Sequence, residues 1–108
     1  MNQTVTHIVV LITASSMEEA ETIGKALVNG RLAACVNLSP GIRSLFRWQG
    51  AIENQEEVLM LVKSRSDLLP AITATVKGLH TYTVPEVIAL PILAGAPDYM
   101  AWIDESVT

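Results

Sequence analysis

A histidine, a phenol and a carboxylate follow one another within His80-Thr81-Tyr82-Thr83-Val84-Pro85-Glu86, between a helical pattern and an apolar strand. Binding groups concentrate on such loops, because rigid flanking elements hold them while the loop itself stays accessible. The imidazole is open to two readings. It caps the preceding helix, where a cationic ring gains roughly 0.3–1 kcal/mol from the helix C-terminus. Alternatively it ligates a metal ion or hydrogen-bonds a bound anion. Glu86 is a second metal ligand, an orienting partner for the imidazole, or the counter-charge of a lysine. Tyr82 is a candidate site residue or a core aromatic with a satisfied hydroxyl.

Elsewhere the reactive inventory is thin. Lys63 closes an otherwise apolar run, so its ammonium must enter a pocket or meet a buried carboxylate. With Arg65 and Arg31 it is a candidate contact for an anion. Cys35 and His80 form the one nucleophile–base pair on offer. Cys35 lies in an apolar strand pattern, where an inert, packed thiol is the default. No orienting or oxyanion group accompanies it, so a hydrolase is not expected. The sequence has no G-x-G-x-x-G, Walker, C-x-x-C or G-x-S-x-G pattern, which removes the nucleotide and zinc-ribbon readings. Glu53, Glu56 and Glu57 read as a solvated acidic turn and His7 as a strand-edge residue. Trp48 and Trp102 read as interface aromatics, with a cleft wall as the lesser alternative.

The elements that must position these groups are legible in the patterning. His7 to Ala14 is an apolar, β-branched run suited to a strand covered on both faces. Ser15, Ser16 and Glu18 predict a capping box, opening a helix whose buried stripe is Ala20, Ile23, Gly24 and Leu27. Asn29-Gly30 stops it. Two short strands follow, Leu32 to Leu38 and Ile42 to Gln49, split by Ser39-Pro40-Gly41, with Gly50 allowing a turn. Glu56 to Lys63 is apolar on both faces and predicts a central strand. Ser66-Asp67 start a second helix with Leu69, Ile72, Val76 and Leu79 inward. Val87 to Ile92 is a last strand, and Pro91 places it at an edge or near its own end. Pro97-Asp98 open a terminal helix with Tyr99, Trp102 and Ile103 on one side.

The order β-α-β-β-(β)-α-β-α predicts an α+β fold with a ferredoxin-like β-α-β-β-α-β core, an extra hairpin and a C-terminal helix. The 108 residues make a single domain, 1–108. Half are hydrophobic, 17% are charged, and the mean hydropathy is +0.38. So apolar a composition in so small a body implies either a membrane segment or burial against other subunits. No apolar run approaches the ~20 residues of a spanning helix, so a homo-oligomer is expected. Net charge −4, with seven Lys plus Arg, argues against nucleic acid or an anionic membrane as partner. The single cysteine excludes an internal disulfide and suits a reducing compartment. Residues Met1 to Thr6 lack a basic residue, and no small-residue cleavage site follows them. The expected location is cytoplasmic.

Several segments together carry a family resemblance from Ile8 to Ile103. They are Arg31-Leu32-Ala33-Ala34-Cys35-Val36-Asn37, Leu45-Phe46-Arg47-Trp48-Gln49-Gly50-Ala51-Ile52, Glu57, Lys63, the His80–Glu86 segment, Pro91 and Tyr99-Met100-Ala101-Trp102. The chain resembles the CutA divalent-cation-tolerance family. The resemblance implies a ferredoxin-like protomer in a compact homotrimer, related in architecture to PII signalling proteins, with strands of the Trp48 hairpin paired between protomers. Trp48 and Trp102 then belong to the trimer interface. It also implies a non-enzymatic role in divalent-metal, especially copper, tolerance, with no cofactor required. Copper-binding members carry a cysteine where this chain has Ile12 and paired histidines where it has Leu79-His80. Thr81 stands where the family usually has proline, and Thr83 where it often has an acidic or amide residue. One imidazole per protomer is short of what copper wants, so weak metal contact through His80, with Glu86 as second ligand, is expected. The PII-like alternative is a sensor or carrier holding a small anionic metabolite in an inter-subunit cleft, at Cys35, Lys63, Tyr82, Glu86 and Trp102.

Overall fold

The computed structural model describes residues 4–108, so the first half of the segment read for a targeting signal lies outside the described residues. Strand β1 (His7–Ala14) leads into α1 (Met17–Asn29), then β2 (Cys35–Trp48) and β3 (Ala51–Arg65). A 3-10 turn (Ser66–Leu68) precedes α2 (Leu69–Leu79), followed by β4 (Val87–Pro91) and α3 (Pro97–Ser106). The antiparallel sheet has the order β2-β3-β1-β4. This is the ferredoxin-like arrangement with a C-terminal helix added.

The period-2 alternation of β1 sorts its side chains cleanly. Ile8, Val10, Ile12 and Ala14 are buried under the helices, with Val58, Met60 and Val62 of β3 beside them. From above, α1 supplies Ala20, Ile23 and Leu27, and α2 supplies Ile72 and Val76. Gly24 lets α1 lie close to β2, since a Cβ there would sit 3.5 Å from Val36. The opposite sheet face is apolar too: Val9, Leu11, Leu59 and Leu61 are half-buried, and Ile88 and Leu90 are each 51% exposed.

Several local expectations change. The two strands read as separate, Leu32–Leu38 and Ile42–Gln49, are one 14-residue strand, interrupted by a bulge between Ser39 and Ile42. Gly41, at φ +79°, absorbs the irregularity. The expected extra hairpin is therefore the outer half of β2–β3. Its turn is Gln49-Gly50, with φ of 50° and 82°, the two positive values a tight two-residue hairpin turn needs. The capping box also differs: Ser16 Oγ accepts from the Glu19 amide at 3.1 Å. Leu79 is 43% exposed, so the α2 stripe ends at Val76. In α3, Ile103 is buried, whereas Tyr99 and Trp102 are both 42% exposed.

Candidate functional site

The chain leaves α2 through His80, whose amide donates to the Val76 carbonyl at 2.9 Å. An extended backbone there (φ −82°, ψ 144°) turns the segment across the end of β1. The imidazole is fully buried and wholly engaged. Nε2 lies 2.7 Å from the Thr13 carbonyl oxygen, an acceptor, so Nε2 carries a proton and donates. Nδ1 lies 3.0 Å from Glu19 Oε1 and 3.0 Å from the Tyr82 amide. The His80 backbone closes α2, but its ring turns away from that helix to Thr13 of β1 and Glu19 of α1. Both ring nitrogens of this expected metal ligand have protein partners in the fold.

Glu19 is the hub on the α1 side. Its carboxylate accepts from the Ser15 hydroxyl, the Ser15 amide at 3.2 Å and the Thr81 amide at 2.9 Å. Burial pushes this carboxyl up, but the Ser15 and Thr81 hydrogen bonds and the His80 charge outweigh it and hold it below its ordinary value. The 80–86 segment is thus stitched to the first turn of α1.

Two residues on, Tyr82 packs against His80 with the rings tilted by 45° and their centroids 4.7 Å apart, and its hydroxyl donates to Glu57 Oε2 at 2.7 Å. Glu57 is only 4% exposed, so the solvated-turn reading fails for it, although Glu56 beside it is exposed. Tyr82 is the donor found for this carboxylate among the described residues. Burial first, then the Glu57 hydrogen bond and charge, push the phenol up to about 12. Burial and the Glu57 charge also raise the Glu86 carboxyl, which places Glu86 in the same acidic neighbourhood. Glu57 further lines a cleft of about 360 Å³ with Ser15, Ser16 and Met17 of the α1 start and Pro40-Gly41 of the bulge. A second groove, about 390 Å³ between α1 and β2, contains none of the expected site residues.

The remaining expected site residues fall elsewhere. Cys35 and Lys63 are direct cross-strand partners, with Val9 on the other side of Lys63. They share the open sheet face with Glu57, but six residues of strand put Lys63 roughly 20 Å from it. Trp102 sits on α3 against Tyr99, centroids 5.4 Å apart. Asp104 of that helix meets His7 at 3.0 Å and Arg65 at 3.6 Å, the far end of the sheet from Thr13. Within one protomer, then, Cys35 and Lys63 come together, Tyr82 and Glu86 are linked only through the Glu57 charge that acts on both, and Trp102 joins neither pair. The Cys35–His80 dyad is not formed: the Cys35 row crosses β1 at Val9, four residues or roughly 13 Å from Thr13. No group of three or more His, Cys, Asp or Glu side chains able to hold a metal ion occurs among the described residues. Glu19 and the Thr13 carbonyl went unanticipated. In the sequence Glu19 is one polar residue among several at the start of a helix, and a backbone carbonyl leaves no signal at all.

The comparisons agree with this architecture. The family described as CutA1 divalent ion tolerance protein matches residues 8–106. The divalent-cation tolerance protein CutA of Thermus thermophilus is 52% identical over 98 residues, 91% of this chain and 95% of that protein. The chloroplastic protein CutA of Arabidopsis thaliana is 41% identical over 97% of this chain, which spans only 58% of that longer protein. A solved structure of the Thermus thermophilus divalent cation tolerance protein superposes with a TM-score of 0.92 at 50% identity, covering 94% of this chain and 99% of that one. With the strand order β2-β3-β1-β4 and a matched span of nearly the whole chain, this protein belongs to the CutA divalent-cation-tolerance family.

Proposed function

We propose that the protein acts as a homotrimer in the response to divalent cations, without catalysis and without a required cofactor, in the cytoplasm. The observation that carries this reading is the open sheet face. Val9, Leu11, Leu59, Leu61, Ile88 and Leu90 form one apolar surface on the side away from α1 and α2. An apolar face of this extent favours burial against another subunit. The edges β2 and β4 offer unpaired backbone groups for joining strands between copies. Trp48 and Trp102, each 42% exposed, supply aromatic area of the kind interfaces use. Light scattering tests it: three times the 11.7 kDa protomer is expected, and a monomer overturns it.

Copper or another divalent cation then acts through weak contacts, because the imidazole that would anchor it is committed to Thr13, Tyr82 and Glu19. Titrating Cu²⁺ into chelator-stripped protein is expected to give low-affinity heats that His80→Ala does not abolish. Stoichiometric binding lost in that variant would reverse the assignment.

A second reading keeps a small anionic metabolite in a cleft between protomers. Lys63, an ammonium set between Val9 and Cys35 on the open face, favours it. The Glu57–Glu86 end of the same face repels an anion, so Lys63 would carry the binding, and Lys63→Ala is expected to weaken it.

A further inference from the structure

We propose that in the homotrimer each protomer's Lys63 ammonium is the counter-charge of Glu57 of the partner subunit, so that every copy completes its neighbour's buried carboxylate site. The pairing presupposes the trimer proposed above and names the contact that specifies it. Both residues belong to the open sheet face. Val9 stands opposite Lys63, Leu11 opposite Leu61 and Thr13 opposite Leu59, and Glu57 is next in the same alternation. They occupy opposite ends of that face, too far apart in one protomer to touch. Lys63 is half-buried and makes no salt bridge among the described residues. Glu57, 4% exposed, has the Tyr82 hydroxyl on Oε2 and no cation among the described residues. Its Oε1 has no hydrogen bond there, yet no buried side-chain polar atom among the described residues lacks a partner. Oε1 therefore reaches the surface, in the cleft beside Ser15 and Gly41.

Assembly through this face makes both groups a cost unless they meet. Leu59 and Leu61 lie between them, flanked by Leu11 of β1, so a neighbour that covers the apolar surface also strips water from its two charged ends. A charge taken out of water is tolerated when it is paired and hydrogen-bonded, and a buried partner left alone is strongly destabilising. The face offers no better match. Arg65, its other β3 cation, is held by Asp67 at 3.1 Å and Asp104 at 3.6 Å. Glu86, beyond the Glu57 end, is exposed and keeps its water. Separation of the two charges also suits a ring, in which each copy sets one end of its surface against the unlike end of the next. Lys63 then meets Glu57 of the partner subunit three times over. A packing that brought like ends together would set two ammoniums or two carboxylates side by side, so the pair selects the register. The ammonium is thereby committed to protein, and the anionic-metabolite reading loses its cation.

A double-mutant cycle read on assembly tests the pair. The unaltered full-length protein, Lys63→Met, Glu57→Gln and the double variant are diluted in series, in urea enough to make the unaltered trimer dissociate measurably. Sedimentation velocity gives the protomer concentration at half-dissociation. Each single change strands one charge and is expected to raise that concentration roughly a hundredfold or more. The double variant is expected to fall at least about tenfold short of the product of the two single effects. Residues roughly 20 Å apart in one protomer do not couple in this way, so the shortfall reports a contact between copies. Independent effects in a protein that does form trimers overturn the pair and leave the assembly standing. A monomer by light scattering in the unaltered protein, without urea, fails the assembly and the pair with it. Lys63→Arg keeps the charge and is expected to remain trimeric. If Glu57→Gln does not fold, Lys63→Arg against Lys63→Met decides: equal trimer stability overturns the pair, and loss in Lys63→Met alone supports it.

Discussion

Replacing Tyr82 by phenylalanine removes one oxygen from the protein and nothing from the tilted ring contact with His80. That oxygen donates at 2.7 Å to Glu57, a carboxylate 4% exposed. A hydrogen bond to a charged group contributes about 1.5–3 kcal/mol, and an abandoned buried acceptor costs its desolvation besides. We expect Tyr82→Phe to lose about 2 kcal/mol. At about 4 °C per kcal/mol for a chain of this size, Tm falls by roughly 8 °C. With a urea m-value of about 2 kcal/mol per molar, the midpoint falls by about 1 M. The assay is urea unfolding by circular dichroism at one fixed protomer concentration, since association adds to apparent stability. The same substitution in a Glu57→Gln background separates the pair from the ring: there the loss shrinks below about 1 kcal/mol, because no charge is stranded. A loss under about 0.5 kcal/mol, or an equal loss in both backgrounds, refutes the assignment of Glu57 as a carboxylate dependent on Tyr82.

The two tyrosines can be told apart by titration. In Tyr99→Phe, ultraviolet titration is expected to show Tyr82 ionising near pH 12. A midpoint near 10 removes the influence of Glu57. Glu86 has a raised carboxyl, so the folded state holds its proton more firmly than the unfolded chain. Its favourable contribution is present below the unfolded value and lost as pH rises through the folded one. Glu86→Gln is therefore expected to raise Tm at pH 7 and to change it little at pH 3.5; the reverse ranking counts against the Glu57–Glu86 repulsion. Gly50 has open space around a Cβ but a φ of +82°, so Gly50→Ala should cost about 1–2 kcal/mol from backbone strain alone. A neutral result would mean the hairpin tip relaxes without penalty. In the core, Ile12→Ala is expected to cost about 2–5 kcal/mol, read from the same urea curves.

The elements legible in the sequence are those whose signal is local. Strand β1 and helix α1 carry uninterrupted periods of 2 and 3.6, and the buried side chains of α1 are the four its stripe names. Pro91 marked an edge, and it is the last residue of β4, which pairs with β1 alone. Ser39-Pro40-Gly41 misled because turn residues within a bulge look like turn residues between strands. Only the long partner β3 shows that the strand continues. Glu57 misled for a related reason. Three acids within five residues resemble a solvated turn, and the group that buries one of them, Tyr82, lies 25 positions away. For His80 the sequence left a cap and a ligand as alternatives. The partners its ring actually meets, Thr13 and Glu19, are 67 and 61 residues distant, and no local pattern encodes them.

The central place of β1 also sets the order in which the chain is made and folded. Val10 ends between Val62 and Ala89, so neither neighbour exists when β1 is synthesised. Residues 7–14 are complete 51 residues before β3 ends at Arg65. At roughly 5–20 residues per second, that is an interval of about 3–10 s. During it the nascent chain presents a strand apolar on both faces with nothing to pair it. The hairpin β2–β3, closed by its two-residue turn, forms within its own segment and then offers β3 as a template. Expression of this protein should consequently be limited by the handling of its first strand at the ribosome, where slow elongation between residues 14 and 65 prolongs the hazard.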